Sequence, residues 1–331
     1  MVEATFSFAP LSRPVDSHLH RDVLKVLLYF DLFRHPLSPL EIYEFLPSNS
    51  TTPSQVAGAC VHFPLSAVLD SSDGLFFLKE RGARCVTERR SKEAIARRRW
   101  MIARLMAALI RHFPFVRGVG VSGELSKGVS TEKSDIDYVL VTEEGRLWIC
   151  RTLLILFKKV ALLNSKKYFC VNHLVTERSL EVEPKNVYTA IELATVKPVC
   201  NHGLFQRYRE ANPWVRDFLP NWWNQFAGSM ENGSPEKQSR RPLLQRILEF
   251  PFRGSLGDRL DRWLMRQWQD LWKRRYPGIS EEARARLFAS TPHLSTAYGG
   301  DILTVILGRY REQLRRYGLL DESLPSQRTP P

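Results

Sequence analysis

Cysteine is scarce in this chain: five among 331 residues, at positions 60, 85, 150, 170 and 200, with no CxxC pair. Scattered thiols in odd number argue against a disulfide framework or a structural zinc, and they suit a reducing, cytoplasmic compartment. A long apolar run is also missing. The nearest approach, Leu147 to Leu163, is broken by Arg151, Lys158 and Lys159, so it is too short and too charged to span a bilayer. The opening MVEATFSFAP has neither the basic nor the apolar stretch of a signal peptide. Acidic residues are outnumbered, 35 against 48 Lys and Arg, for a formal charge of +13. The deficit begins late. Residues 1–80 hold five Lys/Arg and nine Asp/Glu, so the remainder carries +17. Such an excess attracts nucleotides, nucleic acid or acidic partners. In the C-terminal third it equally describes the solvated face of arginine-rich helices.

What the chain does have is concentrated between Val116 and Thr142, in VRGVGVSGELSKGVSTEKSDIDYVLVT. Val119-Gly120-Val121 reads as a short strand ending at Ser122-Gly123. Gly123 to Lys133 reads as a polar, glycine-bearing loop. Asp135 to Val141 reads as a second, buried strand. In a strand, residues i and i+2 share a face, so Asp135 and Asp137 are expected side by side. Two adjacent carboxylates repel, and a divalent cation relieves that cost. Mg²⁺ (or Mn²⁺) takes one or two carboxylates and keeps its other positions for water and phosphate oxygens. Upstream, Ser122, Gly123, Ser126 and Lys127 offer hydroxyls, backbone N–H groups and a cation, the groups that cradle phosphates. Ser134 stands beside the pair. A phosphate-holding loop followed by a metal-holding pair suits nucleotidyl or phosphoryl transfer.

This stretch resembles the DNA polymerase β-like nucleotidyltransferase superfamily, whose pattern is Gly-Ser, a short loop, Gly, then Asp-x-Asp. The match rests on Gly123, Gly128, Ser134, Asp135 and Asp137. It departs at Glu124, where the family has serine. The segments PLSPLEI, SGELSKG, SDIDYVLV, CVNHLV, NVYTAIEL and EANPWVRDFLPN, in that order, extend the likeness to uncharacterised bacterial nucleotidyltransferase-domain proteins over about residues 17–223. The resemblance implies a nucleotidyltransferase core using Mg²⁺ and an NTP. It also implies a third carboxylate on the next strand, where Asn172 and His173 stand instead. Asn172 can ligate a metal through its amide oxygen but cannot act as a general base. Glu181, Glu183 and Glu192 are alternative acids. The lone His173 is assigned no role.

The rest is read as follows. Helices at Ser17–Phe33, Ser38–Phe45 and Thr52–His62, the last two opened by capping boxes with proline at the first position, precede a hairpin turning at Asp73-Gly74. This is a winged-helix-like pattern, residues 15–82. Its third helix carries no Lys or Arg, which argues against DNA binding and for a structural or docking role. Residues 90–225 form the core: a helix over Ser91–Phe113, the motif, a helix over Leu147–Leu163, a strand over Tyr168–Val175 and a helix over Asn186–Pro198. Arg97-Arg98-Arg99 reads as a solvated face. The tryptophans at 214, 222 and 223 read as packing residues, with base stacking the other option. Residues 226–242 read as a linker, 243–320 as helical, and PSQRTPP as a disordered tail. The fold class is therefore α+β: a mixed sheet with helices, a winged-helix-like unit before it and helices after it. The function expected is metal-dependent transfer of an NMP group from an NTP to an unidentified acceptor. The alternative is a degenerate domain that senses a nucleotide or docks a partner. Nucleic-acid binding through the basic C-terminal part is possible and less favoured.

Overall fold

The structure, a computed structural model, describes residues 18–231, 241–298 and 300–320. The opening segment, most of the expected linker and the PSQRTPP tail lie outside them. The chain is α+β. Helices α1 (His18–Asp31), α2 (Pro39–Glu44) and α3 (Pro53–Val61) are followed by the hairpin β1 (Leu69–Ser72) and β2 (Leu75–Leu78). Ser38 and Thr52 each cap a helix, with Glu41 and Gln55 closing the capping boxes. The long helix α4 (Arg84–Ile110) then leads into β3 (Val116–Ser122), a single turn α5 (Gly123–Ser126) and β4 (Asp137–Thr142). Next come α6 (Leu147–Ala161), β5 (Cys170–Thr176), α7 (Val187–Thr195), β6 (Lys197–Cys200), α8 (His202–Glu210) and α9 (Pro220–Glu231). The chain ends with α10 (Leu243–Glu249), α11 (Gly254–Arg275), α12 (Glu281–Leu287), β7 (Leu294–Thr296) and α13 (Ile302–Arg316).

One five-stranded sheet organises these elements, in the order β6-β3-β4-β5-β7. Only β4 and β5 run parallel, joined by the α6 crossover; the other neighbours are antiparallel. Helices α4, α6 and α11 cover one face, against Val119, Tyr138 and Leu140. Helices α7 and α8 cover the other, against Val139 and Val141. That second core is continuous with α1–α3 and α13, so residues 18–82 bury their apolar faces together with the sheet. Gly120 makes the close approach possible: a Cβ there would stand 2.7 Å from the Phe205 ring of α8.

Four expectations need correction. The helix read over 186–198 ends at Thr195, and Lys197–Cys200 pairs with β3 as an edge strand. Proline is tolerated at such an edge, where no ladder partner is owed to its nitrogen. The helical reading of 243–320 missed β7, three residues that pair with β5. Residues 226–231, expected in the linker, continue α9, where Phe226 stacks on Trp222 at 5.5 Å. The second motif strand begins at Asp137, so Asp135 precedes the ladder.

Arg151 is fully buried on α6, its guanidinium 5.0 Å from the Trp268 ring, and its Nε and Nη1 have no hydrogen-bond partner. Burial pushes it down to about 10. A charge held this way costs about 3 kcal/mol at neutral pH, partly offset by about 1–2 kcal/mol from the indole face. Arg151→Met is therefore expected to stabilise the protein by about 1–2 kcal/mol, read as a higher urea midpoint with unchanged slope. A lower midpoint would show that the ring contact outweighs desolvation.

Candidate active site

The loop between β3 and β4 and the first residue of β4 meet because Ser122 and Asp137 are direct partners across the two strands. Asp137 shares its face of the sheet with Val139 and Val141, the face that α7 covers. Glu192 of α7 thereby comes near it. On the other side, the β4–β5 register slips between Tyr138 and Val139. Asn172 is the residue left without a partner in the slip, and its Nδ2 donates to Asp137 Oδ1 at 3.0 Å. Burial pushes the Asp137 carboxyl up to about 6, with Asp135, Glu192 and Glu124 adding to the rise against a Cys170 hydrogen bond. One largely buried carboxylate therefore sits among three other acids.

Gly123 closes the site from above. Its backbone is left-handed (φ +67°), and a Cβ there would lie 2.8 Å from Asp137 Oδ2. Both facts demand glycine. Gly123→Ala is expected to cost about 1–2 kcal/mol in thermal unfolding and to displace the loop from Asp137. Unchanged stability would show that the loop does not pack on the carboxylate.

The expected phosphate ligands do not all stand open. Ser126 is buried and its hydroxyl donates to the Gly123 carbonyl at 2.9 Å, so it serves the loop rather than a ligand. Ser134 donates to Glu124 Oε2 at 2.6 Å and sits in a turn with Thr131. That bond also explains how an acid is accommodated at position 124: the carboxylate is tied to Ser134. Lys127 Nζ donates to Glu192 Oε1 at 2.7 Å and to the Gly123 carbonyl at 3.2 Å. Its charge reaches a ligand only if Glu192 releases it. Ser122 is half-buried and makes no cap bond with its hydroxyl.

Glu181 and Glu183 are exposed and pair with Lys185, and neither is among the larger influences on Asp137. Of the three alternative acids, only Glu192 joins the site. Residues the sequence did not single out complete it. Tyr188 on α7 and Tyr298 after β7 stand near Glu192 and Asp137, the first half-buried and the second exposed at its edge, and desolvation followed by those negative charges keeps both phenols protonated. The Tyr298 hydroxyl lies 3.0 Å from His173 Nδ1, and burial pushes that imidazole down to about 4, so it is neutral. Arg99, expected on a solvated face, is buried. It donates to the carbonyls of Ser134 and Lys167, which anchors the approach to Asp137.

Among the described residues, no group of three or more His, Cys, Asp and Glu side chains is arranged to hold a metal ion. Mg²⁺ does not require one, because it is bound by one or two carboxylates with water and substrate phosphates completing its octahedron. Asp137 fits that demand. Asp135, Glu192 and Glu124 surround it with negative charge, and the nearby Lys127 is already matched by Glu192. No helix among the described residues is long and apolar enough to cross a membrane. No protein-family model, curated protein or solved structure matches the chain.

Proposed function

We propose that the chain is a metal-dependent nucleotidyltransferase that moves an NMP group from an NTP to an acceptor. The observation that carries this reading is the Asp137 carboxylate, packed against the Gly123 turn and surrounded by Asp135, Glu192 and Glu124. Asp135 and Asp137 would hold Mg²⁺, which when bound neutralises charge on the triphosphate. The protein's own part is positional. Ser122 would meet the phosphates, Lys127 would join it once Glu192 releases its ammonium, and Gly123 lets the backbone approach them. Asn172 orients Asp137 by its hydrogen bond. The half-buried Tyr188 stands in one wall. In-line attack at the α-phosphate then depends on holding the acceptor oxygen opposite the leaving pyrophosphate.

A second reading, a domain that binds nucleotide without turning it over, is favoured by one observation. Asn172 stands where the resemblance calls for a third carboxylate, and an amide accepts no proton from an attacking hydroxyl. Calorimetry with each of the four NTPs, with and without Mg²⁺, tests both readings. Mg²⁺-dependent binding is expected. Pyrophosphate release in the presence of acceptor separates the transferase from the sensor. Absence of binding to every NTP in a folded protein would overturn both.

A further inference from the structure

A cleft of about 910 Å³ opens directly behind the Ser126-Lys127-Gly128 turn, between α1, α2, α4 and the β6 edge. Its volume suits a metabolite of nucleotide size. One wall is a stripe of α4: Trp100, Arg104, Ala108 and Arg111 follow at steps of four, four and three, so they share a helix face. Lys127 and Lys197 stand in the other walls, and the floor is apolar, with Phe30, Phe45 and Val199 among its residues.

The charges do not cancel. Neither Arg104 nor Arg111 has an ion pair or a side-chain hydrogen bond among the described residues. Glu41 is bound to Arg89, at 2.7 Å, and to Ser38. Glu44 faces Lys197, and burial with the nearby Glu41 charge pushes its carboxyl up. His35 is held neutral by burial and by Arg89. Two guanidinium forks therefore line a partly apolar cleft without an ion-pair partner among the described residues. Such forks match the oxygens of a phosphate, and an indole beside them suits a flat or apolar body.

We propose that this cleft is the acceptor site, and that the acceptor is an organic phosphate ester with an aromatic or apolar body. The assignment as acceptor rests on the transferase reading above. The cleft reaches that site through Lys127, whose Nζ bonds Glu192 and the carbonyl of Gly123. An acceptor held here would lie alongside the phosphate loop rather than in competition with the triphosphate.

The test uses the full chain and phenyl phosphate as probe, with phenol and inorganic phosphate as controls, by calorimetry at low salt. Phenyl phosphate is expected to bind without Mg²⁺, at least tenfold more tightly than either control. Arg104→Ala/Arg111→Ala, at positions outside the core, is expected to weaken it at least tenfold while leaving Mg²⁺–NTP binding within twofold. Asp137→Asn is expected to leave phenyl phosphate binding unchanged. The proposal is overturned if the folded wild type does not bind the probe or if the double variant binds it unchanged. Strict competition between probe and Mg²⁺–NTP also overturns it. Failure of the transferase reading is read on a different ligand: a chain that binds phenyl phosphate through Arg104 and Arg111 but binds no NTP has this cleft and no nucleotide site.

Discussion

Asp137→Asn is expected to weaken nucleotide binding about a hundredfold and to make the metal-free protein more stable. The two effects share a cause. In the folded chain the carboxyl titrates at about 6, against 3.8 for the free side chain, because burial and the acids around it oppose its charge. The folded state thus holds its proton more tightly than the unfolded state. Stability falls as pH rises from about 4 to about 6, by about 3 kcal/mol, and the cost persists above that range. Asparagine removes the charge and keeps an oxygen for the Asn172 amide. With a chelator present, the variant should match wild type near pH 4 and exceed it by about 2 kcal/mol at pH 8. Added Mg²⁺ with NTP should raise the melting temperature of wild type and not of the variant, with affinity lowered about a hundredfold, or about 2.7 kcal/mol. A variant that is less stable at pH 8 would show that Asp137 is a structural carboxylate, satisfied by its hydrogen bonds.

Glu249→Ala should be the most destabilising single change outside the site. Glu249 on α10 is fully buried and accepts from the Phe115 N–H at 2.9 Å and from Arg117 Nη1 at 2.7 Å. Phe115 is itself buried in a left-handed conformation (φ 66°) at the corner that delivers β3. Burial pushes the Glu249 carboxyl up, and hydrogen bonds from Arg117 and Phe115 more than reverse it, so its pKa is lowered overall. Alanine would orphan a buried N–H, remove one of Arg117's two carboxylate partners and leave the strained corner unsupported. The expected cost is about 3–5 kcal/mol, against about 1–2 kcal/mol for Glu249→Gln, which keeps an acceptor. The lowered pKa sets the pH dependence. The contribution is present above the ordinary glutamate range and is lost below it, as pH falls through the lowered folded-state pKa. Urea unfolding of the three proteins at pH 7 and pH 4 checks this, and equal costs for alanine and glutamine would count against the hydrogen-bonded role.

Local signals carried much of the fold. The capping boxes at Ser38 and Thr52, the Asp73-Gly74 hairpin and the apolar runs of β3, β4 and β5 were all legible, since each depends on residues within a few positions of one another. The edge strands β6 and β7 were not. Each is three or four residues long, with too few alternations to show a period, and takes its conformation from the strand beside it. Arg99 looked solvated because it stands in a run of arginines. Only the packing of α4 on the sheet brings its guanidinium to the Ser134 and Lys167 carbonyls.

The sequence by itself determined the α+β class and the glycine turn that precedes the strand carrying Asp137. Spacing and residue type are enough for these. Tertiary structure alone decided which groups face one another. It placed Asn172 at a register slip, drew Glu192 to Lys127, turned Glu124 to Ser134, and brought Tyr298 from the end of the chain to His173. None of these follows from local pattern, because each partner is set by strand register or helix packing between segments up to 125 residues apart. Burial, which raises the Asp137 carboxyl, is likewise a property of the assembled sheet and helices rather than of the aspartate's neighbours in the chain.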